Sequence, residues 1–260
     1  MVKREIDLLN GHVLYDDGEH KFIWLGWEED EGEKVVQVNQ YLIINKGKGI
    51  LLDPGGVYTF PRVISNLAMY INPDDIIYII FSHQDPDVSS GAALWLNNTS
   101  ATIYISKIWE RFIPHFGIYS FDRIRPVPDS GAVIDLPSGD KLDLIPAHFL
   151  HSVGQVNVFD RRSGILFTGD IGAAVFRKDN RYLFVENFEE HVKLMEGFHK
   201  RYMNGNSACR KWVEIVRRYN PKMIAPQHGA IFEGASVGKF LDWFYNLRCG
   251  LDIIDQIYGV

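Results

Sequence analysis

"FSHQDPDV", residues 81–88, closes the apolar run "IIYIIF" and crowds His83, Asp85 and Asp87 together. A continuous apolar run ending in polar turn chemistry is the pattern of a buried strand, and strand ends are where a rigid sheet aims loop side chains at one point. Pro86 biases itself and Asp85 away from helix. If the segment stays extended, residues 83, 85 and 87 share one face and can converge on a metal ion. Val88 then stands where a further polar group would continue the series.

Working outward, "KFIWLGW", "VVQVNQYLII" and "GILLDPGG" are short β-rich runs broken by charged or Gly-rich turns, the pattern of antiparallel strands. "RVISNLAMYI" has helical spacing, and "SSGAALWLNN" opens with serines suited to a helix start. "ATIYIS" predicts a strand, "KIWERFIPHF" a helix interrupted near Pro114, and "KLDLIPA", "QVNVFD" and "GILFTGD" three more strands. Residues 186–219 are helical by pattern, "KMIAPQHG" is a short strand running into a loop, and "VGKFLDWFYNLRCGL" is a closing amphipathic helix. Two β-rich halves with their helices predict an α/β (α+β) fold, a four-layer αββα sandwich formed as one unit over residues 1–260.

Composition narrows the function classes. The chain has 260 residues, 46% hydrophobic and 23% charged, which suits a globular protein with a sizeable core. A net charge of -6 and a pI near 5.8 argue against nucleic acid as a partner. Cys209 and Cys249 form no C-x-x-C pair, so no thiolate zinc site or disulfide framework is suggested. The amino-terminal stretch lacks an apolar leader core and no run reaches the roughly 20 apolar residues of a membrane span, so no membrane partner and a cytoplasmic location are expected.

The chemical candidates all follow strand-like runs: Asp53, the His83/Asp85/Asp87 group, His148 and His151, Asp170 and His228. On its own the 81–88 segment is as consistent with a solvated turn as with a metal site. "HFLHS", "LFTGD" and "APQHG", taken with "LLDPGG", resemble the successive motifs of the metallo-β-lactamase superfamily over nearly the whole chain. Most hydrolases of that superfamily carry H-x-H-x-D-H at the first motif, whereas this chain reads His83-Gln84-Asp85-Pro86-Asp87-Val88. A carboxylate at the second position is similar to the flavodiiron branch, whose motif is H-x-E-x-D-H.

The resemblance implies two iron ions, with manganese or zinc as lesser alternatives: one held by His83, Asp85 and His151, the other by Asp87 and His228, and Asp170 bridging. Oxygen-rich ligands with a few imidazoles suit iron or manganese. The sequence departs from the branch twice. Asp85 is one methylene shorter than the family glutamate, so the loop must approach the ion more closely. Val88 replaces a histidine ligand and leaves a position open. Asp53 is expected beside the site as a turn or supporting residue, and His148 as a candidate hydrogen-bond donor near bound oxygen.

Flavodiiron proteins also carry a flavodoxin domain. The chain after His228 is far shorter than the roughly 100 residues such a domain requires, so no flavin is expected. What the resemblance implies is a flavodoxin-less protein that binds dioxygen, or nitric oxide, and acts as an oxygen or redox sensor in bacterial signalling or chemotaxis, as a homodimer with a signalling partner. The rival readings are a metallohydrolase using a metal-bound hydroxide, and an oxygen or nitric oxide reductase fed by a separate donor.

Overall fold

The computed structural model describes residues 6–28, 35–177 and 180–260; the first five residues, part of the stretch read for a leader, lie outside them. The first sheet runs β1 (His12–Asp16), β2 (His20–Trp24), β3 (Tyr41–Asn45), β4 (Lys48–Leu52), β5 (Ile76–Ile80), β6 (Thr102–Ser106) and β7 (Ile124–Val127), in that spatial order. It is antiparallel from β1 to β4 and parallel from β4 to β7. The parallel part needs crossovers: α1 (Phe60–Ala68) joins β4 to β5, α2 (Pro86–Ser89) and α3 (Ala92–Asn98) join β5 to β6, and the 3-10 segments Ile113–Phe116 and Phe121–Arg123 lie between β6 and β7.

The second sheet holds β8 (Ala132–Asp135), β9 (Lys141–Pro146), β10 (Val156–Asp160), β11 (Ile165–Phe167), β12 (Met223–Ala225) and β13 (Phe232–Glu233) in sequence order. It is antiparallel except where β11 meets β12. That parallel pair is joined through α4 (Phe188–Tyr202) and α5 (Asn206–Tyr219), and α6 (Ala235–Asn246) and α7 (Ile254–Tyr258) follow β13.

Strand periodicity sorts the layers. In β2 and β3, Phe22, Trp24, Tyr41 and Ile43 share a core with the second sheet's Leu142, Leu144, Val156 and Val158. Their alternates Ile23, Leu42 and Ile44 pack instead with Val63 and Leu67 of α1 and Ala92 and Trp95 of α3. On the other side of the molecule, Trp212 of α5 donates from Nε1 to Asn157 Oδ1 of β10 at 2.6 Å. Helices therefore cover both outer faces, and the four-layer expectation matches.

Three local expectations fail for identifiable reasons. "KIWERFIPHF" is a series of turns ending in a 3-10 segment at Ile113–Phe116, because Pro114 offers no amide hydrogen and Gly117 leaves in the left-handed region at φ 86°. The helical stretch 186–219 is two helices broken at Met203–Gly205. Strands β1, β7 and β8, absent from the sequence reading, are edge strands of the two sheets with partly exposed residues, so no clear apolar pattern marks them.

Candidate metal centre

The loops after β4, β5, β9, β11 and β12 meet at one rim of the sandwich. The β5 loop is tied to the start of β10 by Val156 N–H donating to Ser82 O at 2.8 Å, and Gln227 N–H donates to Gly169 O at 2.7 Å. Gly169, at φ 55°, permits this approach: a Cβ there would stand 2.8 Å from Ser82 Oγ.

The 81–88 segment does not stay extended throughout. Asp85 is extended at φ -60° and ψ 149°, but Pro86 then opens α2, a position where its missing amide hydrogen costs nothing, and Val88 and Ser89 N–H both donate to Asp85 O. The turn points the two carboxylates at different partners. Asp85 Oδ2 lies 3.1 Å from His151 Nε2 and 3.7 Å from His83 Nε2, whereas Asp87 Oδ2 lies 3.3 Å from His228 Nε2.

Asp170 stands between the two groups. Its Oδ2 is 3.3 Å from His151 Nε2 and 3.8 Å from His83 Nε2, and its Oδ1 is 3.6 Å from His228 Nε2. His83, His151 and Asp170 each present one ligand atom, all within 4.8 Å of one another. Ligand atoms about 2.1 Å from a shared ion stand about 3 Å apart when adjacent and about 4 Å when opposite, so these spacings fit an ion among His83, His151 and Asp170, and His228 approaches both Asp87 and Asp170 at compatible distances. Asp170 Oδ1 is also buried without a hydrogen-bond partner, a cost that a cation on the His228 side would remove. The donor set of imidazoles and carboxylates therefore suits metal ions, with Asp170 facing both histidine groups.

Neighbouring groups set which nitrogen each histidine offers. His228 Nδ1 donates to the Gln37 carbonyl at 2.6 Å, which leaves Nε2 for a metal. His83 Nδ1 meets Ser82 Oγ at 2.8 Å, and that hydroxyl donates to Asp53 Oδ2 at 2.5 Å while Ser82 N–H donates to Asp53 Oδ1 at 2.7 Å. Asp53 thus supports His83 through Ser82 and does not itself face the ligand group. Gln84 Nε2 donates to Asp85 Oδ1 at 2.8 Å, and its Oε1 accepts from Ser152 Oγ at 2.9 Å, which accepts from Trp109 Nε1 at 3.0 Å.

The electrostatics agree. Burial, the largest influence on His83, pulls its pKa down, but Asp170, Asp85 and Asp53 outweigh it and bring it to about 9. His228 also reaches about 9, burial being overcome by Asp170 and Asp87. Burial acts to raise Asp85, yet His151 and His83 hold it well below the usual carboxylate range; Asp87 is lowered against burial by His228 and His83. Asp53 goes the other way, pushed by burial to about 7. Without metal, protonated histidines serve as the carboxylates' counter-cations, and metal binding replaces those protons.

Two sequence candidates land elsewhere. His148 sits in the turn after β9, not on a strand, and its Nε2 donates to Asp129 O at 2.8 Å; the chain turns there through Phe149, at φ 67°, before His151 reaches the cluster. Val88 is fully buried in the apolar core shared with Ala92 and Trp95, so packing occupies its side chain. Sequence reasoning missed Ser82, Gln84 and Gln227, each adjacent to a predicted ligand, and His199, for which no motif gives a signal. Burial lowers the His199 pKa to about 4; its Nδ1 donates to Met195 O at 2.7 Å and its Nε2 accepts from Gly172 N–H at 2.9 Å, steadying the loop just after Asp170.

Residues 36–229 match the family described as "ODP family beta lactamase". A solved structure described as the peroxy diiron species of chemotaxis sensor ODP is 54% identical, with a TM-score of 0.86, and the match covers 95% of this chain and 99% of that one. The apo state of chemotaxis sensor ODP from T. denticola is 53% identical with a TM-score of 0.84, over 95% of this chain and 98% of that one. A flavo di-iron protein variant from Thermotoga maritima, 20% identical with a TM-score of 0.76, shares the fold over 90% of this chain and 60% of its own.

Among curated relatives, an uncharacterized protein of Methanocaldococcus jannaschii is 27% identical over 218 residues, 80% of this chain and 53% of that protein. A putative diflavin flavoprotein A 1 of Nostoc sp. is 26% identical over 79% of this chain and 36% of its own length. The chain therefore spans about half, or less, of these curated relatives. Matched across most of its length and carrying the αββα sandwich, this chain belongs to the ODP family of β-lactamase-fold proteins.

Proposed function

We propose that the protein holds two iron ions, one by His83, Asp85 and His151 and one by Asp87 and His228 with Asp170 between them, and binds dioxygen there as a sensor. The observation that carries the reading is Asp170, whose two carboxylate oxygens face two different histidine groups. Support comes from the neighbour at 54% identity, which is described as a di-iron chemotaxis sensor in a peroxy state. Three carboxylates offset much of the charge of two ferrous ions and favour iron over softer-ligand metals. Such ions supply, when bound, the electrons that oxygen chemistry requires.

The chain's own residues support the ligand groups. Ser82 with Asp53, Gln84 with Ser152, and Gln37 hold His83, Asp85 and His228 in fixed orientations, so the site is organised before a ligand arrives. Phe198 and Tyr202, stacked at 4.7 Å, pack edge-on against the His151 ring at 5.9 and 5.5 Å. Nitric oxide is a second diatomic ligand of the same size. Residues 1–260 are read as one domain acting as a homodimer with a signalling partner; a monomer in light scattering at micromolar concentration contradicts the dimer. Among the described residues no helix is long and apolar enough to cross a membrane.

The test is metal analysis of protein loaded with ferrous iron under anaerobic conditions, then an absorbance spectrum before and after air. Two irons per chain and a visible band appearing on oxygenation are expected. Zinc with esterase activity and no oxygen-dependent band would instead support the hydrolase.

A further inference from the structure

The two aspartates of the 81–88 loop are each approached by a glutamine carboxamide, and nothing in the motif reading assigns either glutamine a role. Gln84 Nε2 donates to Asp85 Oδ1 at 2.8 Å, leaving Oδ2 for the His151 side. From the second sheet, Gln227 Nε2 reaches Asp87 Oδ2 at 3.4 Å, the same oxygen that His228 Nε2 approaches at 3.3 Å. Gln227 is fully buried. Its backbone is fixed on both sides, its N–H donating to Gly169 O at 2.7 Å and its carbonyl accepting from Asn39 N–H at 2.6 Å. A side chain so anchored, with Oε1 buried and lacking a hydrogen-bond partner, is held at the metal centre at a cost in desolvation.

We infer that Gln227 is the positioning residue for the second metal ion: it donates a hydrogen bond to Asp87 and fixes that carboxylate as a ligand, as Gln84 does for Asp85. The inference rests on the di-metal reading above. With Val88 taken up by the core, Asp87 and His228 are the terminal ligands left on that side, and Asp87 has 41% of its side chain exposed. An exposed carboxylate has several rotamers to lose on binding a metal, and a donor on a buried, immobile backbone reduces that loss.

The experiment titrates metal-free protein with cobalt(II) under nitrogen, following heat and the visible cobalt spectrum, in the parent and in Gln227→Met, which keeps length and removes the amide. Two equivalents in the parent, with the first unchanged and the second weakened about tenfold in Gln227→Met, is the expected result. Binding of the first equivalent reports that the variant is folded; if it is lost, Gln227→Asn, which withdraws the amide by one methylene, must show the second-ion defect alone. A second equivalent bound as tightly by the variants as by the parent overturns the inference, whereas a parent that binds only one ion overturns the di-metal reading. An anomalous-diffraction structure of the cobalt-loaded parent separates the remaining rival: the amide belongs beside Asp87, and an amide oxygen bonded directly to the metal overturns the positioning role.

Discussion

The two halves of the metal centre are built from the same residue types but with different degrees of support. On the His83 side, two of the three terminal ligands have a backing partner in the fold: Ser82 and Asp53 behind His83, and Gln84, Ser152 and Trp109 behind Asp85. On the His228 side, Gln37 backs the histidine at 2.6 Å, but the donor to Asp87 stands at 3.4 Å and Asp170 Oδ1 has no hydrogen-bond partner. Hydrogen bonds to the fold hold the carboxylate of the first half more closely than that of the second. The difference teaches that a ligand count taken from a motif does not rank metal affinities, because supporting hydrogen bonds fix ligand orientation.

The strongest way to break this comparison is to remove groups from each half and count ions. Asp170→Asn and His83→Ala should each abolish di-metal binding, a loss of roughly a hundredfold or more in affinity, whereas Asp87→Ala should leave close to one ion per chain. Equal metal content in all three variants and the parent contradicts the assignment. A smaller change sharpens the comparison: Ser82→Ala removes the link between Asp53 and His83 and should weaken the first ion about tenfold in calorimetric titration, with the second ion's heat retained. If instead the second ion is the one lost, the supporting network has been placed on the wrong half.

Val88→His tests whether the gap can be refilled. Because Val88 is fully buried among Ala92 and Trp95, an imidazole that stays in the core should cost about 1–3 kcal/mol in urea unfolding of the metal-free protein. Recovery of that stability on adding metal would show that the ring had swung to the site as a ligand.

The smallest effect is a pH slope. His83 and His228 sit near 9 in the metal-free fold against an ordinary 6.5, so the folded state binds more protons than the unfolded state between those values. Their contribution is complete below pH 6.5 and fades as pH rises through 9, so metal-free stability should fall across that window. Asp85 and Asp87 are depressed, so their contribution is present above the ordinary carboxylate value of 3.8 and fades as pH falls below it. Metal-loaded protein, whose histidines are already neutral, should lack the alkaline slope. Chemical unfolding at pH 6.5 and 9 with and without metal measures it, and a stability that rises with pH in the metal-free form contradicts the sign.

Much of this was legible because it depends on local pattern. The buried strand "IIYII" lies where apolar periodicity places it, the helical spacing of "RVISNLAMYI", residues 62–71, overlaps the helix Phe60–Ala68, and the candidate ligands follow strand ends. Edge strands β1, β7 and β8 were not legible, since a strand paired on one side with half-exposed residues carries little apolar signal. The turn through Pro86 was misread for another reason: proline disfavours helix interiors but suits a helix's first turn, and only the bonds from Val88 and Ser89 to Asp85 reveal which applies.

By itself the sequence determined most of the element types and the sandwich, because hydrophobic period and turn chemistry are properties of neighbouring residues, while resemblance to a family marked the six candidate ligand positions. Tertiary structure alone decided which partner each group received. Asp85 and Asp87 face different histidines because the chain passes from extended backbone at Asp85 into α2 at Pro86, and Gln227 reaches Asp87 across 140 residues of chain because two sheets stack. The cysteines teach the same point: unrelated in sequence, Cys209 and Cys249 bring their sulfurs to 3.7 Å in the core. Distances between remote residues follow from how layers pack, and no local pattern encodes them.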